Sequence, residues 1–191
     1  MEQAIKNEGR DVHNPRFHAD RLPGEKAPGA IAQAVGASFF SLLELVPREN
    51  VTLKPEEEAY IGESKRDSIR FIKGQLEYNQ LTNFAQNMLP EMVEKLVRRN
   101  EPRFVEFFNK GHAVTPRMHQ FQLIPGIGKK HLIDMLDERR KKPFESFKEL
   151  VERVKFFPDP VKIIVRRVLE ELKDEQKYYL FVSPPRRRNQ F

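Results

Sequence analysis

The sequence predicts an α+β chain in which short strands come first and helices follow. Three observations carry this expectation. Between residues 30 and 80 the apolar runs (31–35, 39–46, 59–62) are short and bounded by turn residues, the spacing of a small barrel or sandwich. From Leu81 the apolar period lengthens, as in Met92, Val93, Leu96 and Val97. Residues 116–174 then hold two helix–turn–helix units in tandem, a pairing that buries surface a lone helix pair cannot.

Taken in order, residues 1–29 are polar and turn-rich, with prolines at 15, 23 and 28, and are read as irregular. The run 31–35 is a short strand. Gly36-Ala37-Ser38 turns the chain into 39–46, which Pro47 closes. Eight residues between turn signals suit a buried strand, although periodicity alone does not separate it from a helix. Further strands are expected at 51–53, 59–62 and 69–78. Phe39 and Phe40 are adjacent, so a strand would point one of them outward.

Residues 81–115 are read as connecting helices. One has Pro90 near its start. The next is capped by Asn100, with Pro102 early and Phe104, Val105, Phe107 and Phe108 on its buried face, and stops at Lys110-Gly111. Thr115-Pro116 opens the first helix of the first hairpin. The second helix of that hairpin ends in Arg139-Arg140-Lys141-Lys142, where cations match the helix dipole. Ser146 and Glu149 form a capping box. Asp159-Pro160 starts the last helix, whose stripe is Val161, Ile164, Val165, Val168, Leu169 and Leu172. Residues 178–182 (Tyr-Tyr-Leu-Phe-Val) read as a strand without a partner in the helical part. They are therefore expected to return to the N-terminal module and close it. Residues 183–191, with Arg186-Arg187-Arg188, form a flexible basic tail.

Composition narrows the function. The chain has 191 residues, 39% hydrophobic, with a net charge of +6. That charge is uneven: residues 1–80 carry net −2, residues 113–174 net +4 and residues 175–191 net +3. A polyanionic partner requires such a concentration of positive charge. There is no cysteine, which excludes disulfides, thiolate metal sites and cysteine nucleophiles. The N-terminus lacks the apolar core of a signal peptide and no run is long enough to span a membrane, so a cytoplasmic chain with no membrane partner is expected. No phosphate-binding P-loop, nucleophile elbow or acid/base pair is visible, and the chain is not expected to be an enzyme.

The most informative stretch is Pro125-Gly126-Ile127-Gly128-Lys129-Lys130. Two glycines flank one apolar residue, and two lysines follow where a helix begins. A helix N-terminus offers unpaired N–H groups and a partial positive charge. Lysines there oppose the dipole, which points to an external anion. The segment resembles the hairpin of helix-hairpin-helix proteins, which hold nucleic-acid backbones without reading sequence. The resemblance makes Ile127 the apolar plug between the helices and places the amides of Gly126, Gly128 and their neighbours against phosphate, with Lys129 and Lys130 adding charge. The second turn, Phe156-Phe157-Pro158-Asp159-Pro160, lacks glycine and is read as structural.

Several further segments resemble an uncharacterised archaeal family of proposed RNA-binding proteins: Ala32-Gln33-Ala34-Val35-Gly36, Leu42-Leu43-Glu44-Leu45-Val46-Pro47, Tyr60-Ile61-Gly62, 103–110, 123–130, 142–147 and 178–182. That family is similar to an oligonucleotide-binding (OB)-type β-barrel joined to a helix-hairpin-helix domain. The resemblance implies an OB-like barrel over 30–80, completed by 178–182, followed by an all-helical tandem helix-hairpin-helix domain over 116–174. Residues 1–12 supply few apolar positions (Ala4, Ile5, Val12), so the first barrel strand is not predicted and the barrel's completeness stays open. The resemblance also implies RNA ahead of DNA as partner. Apart from a monovalent cation (potassium or sodium), which the hairpin resemblance implies at the carbonyls of Gln122, Ile124 and Ile127, no cofactor is expected.

Other candidates carry less. Arg66, Arg70 and Lys73 are spaced as a basic face. His119 and His131 flank the hairpin. His13 and His18 with Asp11 and Asp20 lack a compact metal-ligand motif. The competing function is a protein–protein adaptor on ribosomal or transcription machinery, working through the β module, with a purely structural hairpin.

Overall fold

The computed structural model describes residues 2–6, as backbone, and 30–183. It is a mixed α+β chain with a small antiparallel sheet and five α-helices. It divides into two compact units, residues 1–88 and 89–191, the division falling inside the first helix.

The N-terminal unit is one five-stranded sheet built from β1 (Glu2–Lys6), β2 (Ala32–Gly36), β3 (Leu42–Pro47), β4 (Glu57–Ala59) and β5 (Ile69–Leu76), in the order β4-β1-β2-β3-β5. Every ladder is antiparallel: Ala4 faces Ala34, Ala34 faces Leu43 and Leu45 faces Ile72. β2 lies in the middle and is buried at all of its positions, which fits its small apolar residues. Ala32, Ala34, Leu45, Leu53, Ala59 and Ile69 form the core. The buried Gln33 donates from Nε2 to the Gln80 carbonyl at 3.1 Å and accepts from the Thr82 amide at 2.9 Å, tying the sheet to the residues before the first helix. A buried amide satisfied on both sides costs little and fixes register.

Four expectations change here, the first being that the strand expected at 59–62 ends at Ala59, as β4. Residues 2–6 form a strand at the heart of the sheet, within the segment read as irregular; five residues with Ala4 and Ile5 pair through the backbone, which the side-chain pattern does not advertise. Residues 51–53 are not a strand, because Asn50 turns the chain with φ 67°, yet Leu53 is buried. Phe39 and Phe40 do split, 58% and 0% exposed, but within a turn rather than a strand: Phe40 has φ 51° and β3 begins at Leu42.

The helical unit holds α1 (Asn83–Arg99, begun in the first unit), α2 (Glu101–Lys110), α3 (Lys129–Lys141), α4 (Phe147–Arg153) and α5 (Pro160–Lys173), with a β-hairpin of β6 (Ala113–Thr115) and β7 (Met118–His119) before α3. Its core is aromatic. Phe107 packs edge-on against Phe108, Phe121 and Phe181, and Phe108 against Phe147 and Phe157, at centroid distances of 5.0–6.4 Å. Edge-to-face pairs of this kind add about 0.5–1.5 kcal/mol each beyond burial. Gly111, ending α2, lets the Phe121 ring through: a Cβ there would stand 2.2 Å from Phe121 Cε1.

The returning strand does not form. Residues 178–182 adopt no strand and are held in the helical unit by Glu171, whose carboxylate accepts from the amides of Leu180 (2.7 Å), Phe181 (3.0 Å) and Val182 (2.8 Å). Arg167 completes the arrangement, donating from Nε to the same carboxylate at 2.7 Å, and both side chains are almost fully buried. Phe181 fills the space beside Phe104 and Phe107. A β-prone apolar segment thus satisfies its amides on one buried carboxylate instead of on a sheet edge. The tail at 184–191 lies outside the described residues.

Candidate functional site

The turn at 124–128 is built by sequence rules that can be checked one by one. Ile124, Pro125, Gly126 and Ile127 make a β-turn closed by the Ile127 amide on the Ile124 carbonyl at 3.1 Å. Proline presets the second position, and glycine takes the third with φ 94°. Ile124 and Ile127 are buried, so the turn is pinned from below while Gly126, Gly128, Lys129 and Lys130 are exposed. His131 latches it from α3, its Nδ1 lying 3.2 Å from the Gly126 carbonyl.

Gly128 is the N-cap of α3, in extended backbone, and supplies no side-chain cap; the first turn of α3 has no acidic residue. A Cβ at Gly128 would meet nothing within 4 Å. The start of α3 is therefore exposed and without a side-chain cap, beside two lysines. Among the described residues neither Lys129 nor Lys130 is paired with a carboxylate; Lys130 Nζ instead stands 5.9 Å from the centroid of the Phe156 ring.

The other basic candidates are occupied. Arg140 pairs with Asp137, Lys141 with Glu138 and Lys142 with Glu145. Arg139 Nη1 donates to the carbonyls of Phe108, Asn109 and Gly111 at 3.3, 3.2 and 2.8 Å, so it caps the end of α2 rather than serving its own helix. Of the expected basic face, Lys73 is exposed but pairs with Glu44 at 2.9 Å, Arg66, in the loop before β5, donates to the Gly62 carbonyl at 3.0 Å, and Arg70 is exposed. Three of the four cations at 139–142 are thus paired with carboxylates and Arg139 is bonded to the end of α2, whereas among the described residues the two lysines of the hairpin are paired with no carboxylate.

Two expectations about this region are corrected. The first hairpin helix is not a helix from Thr115: β6 and β7 occupy 113–119, and a single 3-10 turn, Gln120–Leu123, leads into the hairpin. Only five residues separate β7 from Pro125, whose missing N–H and ring exclude a longer helix. His119 is not a surface ligand. It is buried, and its Nδ1 accepts from the Phe121 amide at 3.2 Å, capping that 3-10 turn. Burial, then the charge of Arg139 and the nearby His112, hold its pKa below the ordinary histidine value, against a hydrogen bond with the Gly111 backbone. The residues His13, His18, Asp11 and Asp20 lie outside the described residues.

Sequence reasoning missed the contribution of the second turn. Val154, Lys155, Phe156 and Phe157 close with the Phe157 amide on the Val154 carbonyl at 3.2 Å, the same bond as in the first turn. Phe156 occupies the position that Gly126 holds there, with φ 58°, and is 87% exposed. A left-handed conformation costs a side-chain-bearing residue about 1–2 kcal/mol. The two turns abut: a Cβ on Gly126 would lie 3.7 Å from Pro158 Cγ, and the His131 and Phe157 rings are 5.9 Å apart. Adjacent phenylalanines in the sequence were visible, but the positive φ that turns one of them outward was not.

Among the described residues no helix is long and apolar enough to cross a membrane, and no group of three or more His, Cys, Asp or Glu could hold a metal ion.

The model of the family described as "Protein of unknown function (DUF655)" matches residues 17–183. The chain is 39% identical over 183 residues to uncharacterised protein MJ0038 of Methanocaldococcus jannaschii, covering 93% of this chain and 83% of that one. The crystal structure of Af1531 from Archaeoglobus fulgidus matches with a TM-score of 0.77 at 35% identity, over 96% of this chain and all of that one. With this span and identity, and with archaeal relatives on both counts, the chain belongs to the DUF655 family.

Proposed function

We propose that this protein binds nucleic acid, RNA ahead of DNA, by holding backbone phosphates at the first hairpin without sequence readout. One observation carries the reading: α3 begins with an uncapped glycine open to solvent, followed by two lysines that no carboxylate among the described residues neutralises. A phosphate there would accept from backbone N–H groups and gain from the helix dipole and both ammonium groups. Gly126 and Ile127 shape the approach and Gly128 leaves room for it. The preference for RNA rests on the resemblance of the sequence alone. In this reading the five-stranded sheet is an OB-type module, the two turns are the hairpins of a tandem helix-hairpin-helix whose first helix is reduced to the 3-10 turn Gln120–Leu123, and the chain performs no catalysis.

The test is a binding titration with single-stranded RNA over a salt series. Log K is expected to fall with log salt by roughly 0.7 per neutralised phosphate, and Lys129→Ala with Lys130→Ala to flatten that slope. A flat slope in the unmutated protein, or none of the expected change in the double variant, overturns the reading in favour of the adaptor.

The same reading includes a monovalent cation at the carbonyls of Gln122, Ile124 and Ile127, bridging the loop to phosphate. The Ile124 carbonyl already closes the turn, so it would use its second lone pair. Replacing potassium with a bulky organic cation at matched ionic strength is expected to lower affinity; equal affinity counts against the ion.

A further inference from the structure

We infer that Phe156 is a stacking platform for an unpaired nucleobase, on the strand whose phosphate the first hairpin holds. This rests on the phosphate-binding reading and deepens it: the partner becomes single-stranded nucleic acid, and the second hairpin becomes part of the site.

Phe156 is 87% exposed, the most open of the large apolar side chains among the described residues. It sits in left-handed backbone at the position where the matching turn has glycine. Packing does not explain it, because the neighbouring Phe157 is the residue that turns into the core, against Phe108. Glycine would relieve the backbone and remove an exposed ring in one change.

The position of the ring then matters. The two turns touch through Gly126, Pro158, His131 and Phe157, which brings Phe156 to the hairpin's surface. Lys130 connects the two parts. Its backbone is in the first turn of α3, and its ammonium stands 5.9 Å from the ring centroid. A cation near an aromatic ring, with most of the ring open, suits a nucleotide: the ammonium meets the phosphate and the ring meets the base. An aliphatic protein partner would use the ring but gain nothing from the unpaired lysines. Stacking accepts any base, in keeping with an interface that does not read sequence.

Two variants test this in the full chain. Phe156→Gly is expected to weaken binding of a single-stranded RNA of about ten nucleotides roughly tenfold, to leave binding of a duplex of the same sequence unchanged, and to hold or raise Tm. The chain has no tryptophan, so Phe156→Trp gives a sole indole reporter. Its fluorescence is expected to be quenched by the single strand and not by the duplex. Equal single-strand affinity in Phe156→Gly, with the salt slope intact, overturns stacking and leaves the phosphate reading standing. A lowered Tm in Phe156→Gly, or an unquenched indole in a bound complex, also overturns stacking. No binding by the unmutated protein overturns both.

Discussion

The two turns of the helical unit share one backbone plan and end it in opposite ways. Each closes a four-residue turn with an amide-to-carbonyl bond, each has a left-handed third residue, and each buries the fourth, Ile127 or Phe157. The second turn then satisfies its helix internally. The Asp159 carboxylate accepts from the amides of Val161 and Lys162 at 2.9 and 3.3 Å, and Pro160 needs no partner. The first turn puts glycine at the equivalent cap and lysines after it. A helix that caps itself gains stability and loses its anion site; a helix left uncapped keeps the site at a small cost in stability.

Exchanging the caps should separate the two roles. Gly128→Asp places a carboxylate where α3 offers its amides, in backbone that any residue adopts and with space for the side chain. Nucleic-acid affinity is expected to fall about a hundredfold, the equivalent of one or two charge-assisted hydrogen bonds, while urea denaturation shows stability raised by a few tenths of a kcal/mol. A drop in both would mean that the glycine serves the fold. The converse change, Asp159→Ala, is expected to cost about 1 kcal/mol of stability and to leave affinity unchanged in the same titration.

A smaller effect concerns the approach to each turn. The first turn is entered through His119, which must keep Nδ1 unprotonated to accept from Phe121. Its pKa is depressed in the folded state, so the unfolded chain binds the proton more readily. The stabilisation it gives is complete above the unfolded value and is lost as pH falls below it, from about pH 6.5 downward. His119→Asn keeps an acceptor at the same place and cannot titrate. Its Tm is expected to vary less than that of the unmutated protein between about pH 7 and pH 5.5; an unchanged pH profile would remove His119 as the source.

Much of the site was legible in the sequence because its signals are local. Pro125 and Gly126 specify their turn type, and the apolar spacing around Ile127 specifies which side is buried. The caps at Ser146 and Asp159 were readable for the same reason, although Glu149 reaches the amide of Glu145 rather than that of Ser146. What could not be read depended on partners distant in the chain. The cations at 139–142 read as matching their own helix dipole, but Arg139 reaches about thirty residues back to cap α2 through the carbonyls of Phe108, Asn109 and Gly111. The turn at 156–160 read as purely structural because the positive φ that turns Phe156 outward is not encoded in its residue type. Residues 2–6 and 178–182 were exchanged in role: the polar stretch makes a strand through backbone pairing, and the β-prone stretch makes none because Glu171 takes its amides.

That last arrangement bears on how the protein is made. Phe181 and Val182 are buried members of the helical core, and Glu171 and Arg167 wait inside it for the amides of residues 180–182. During vectorial synthesis the sheet's residues emerge first and can pair early. The helical unit, by contrast, can close only once residues 180–182 are available to Glu171, near the end of the described chain. A chain cut before residue 178 therefore lacks the ring that covers Phe104 and Phe107 and leaves the Glu171 carboxylate without its amide donors.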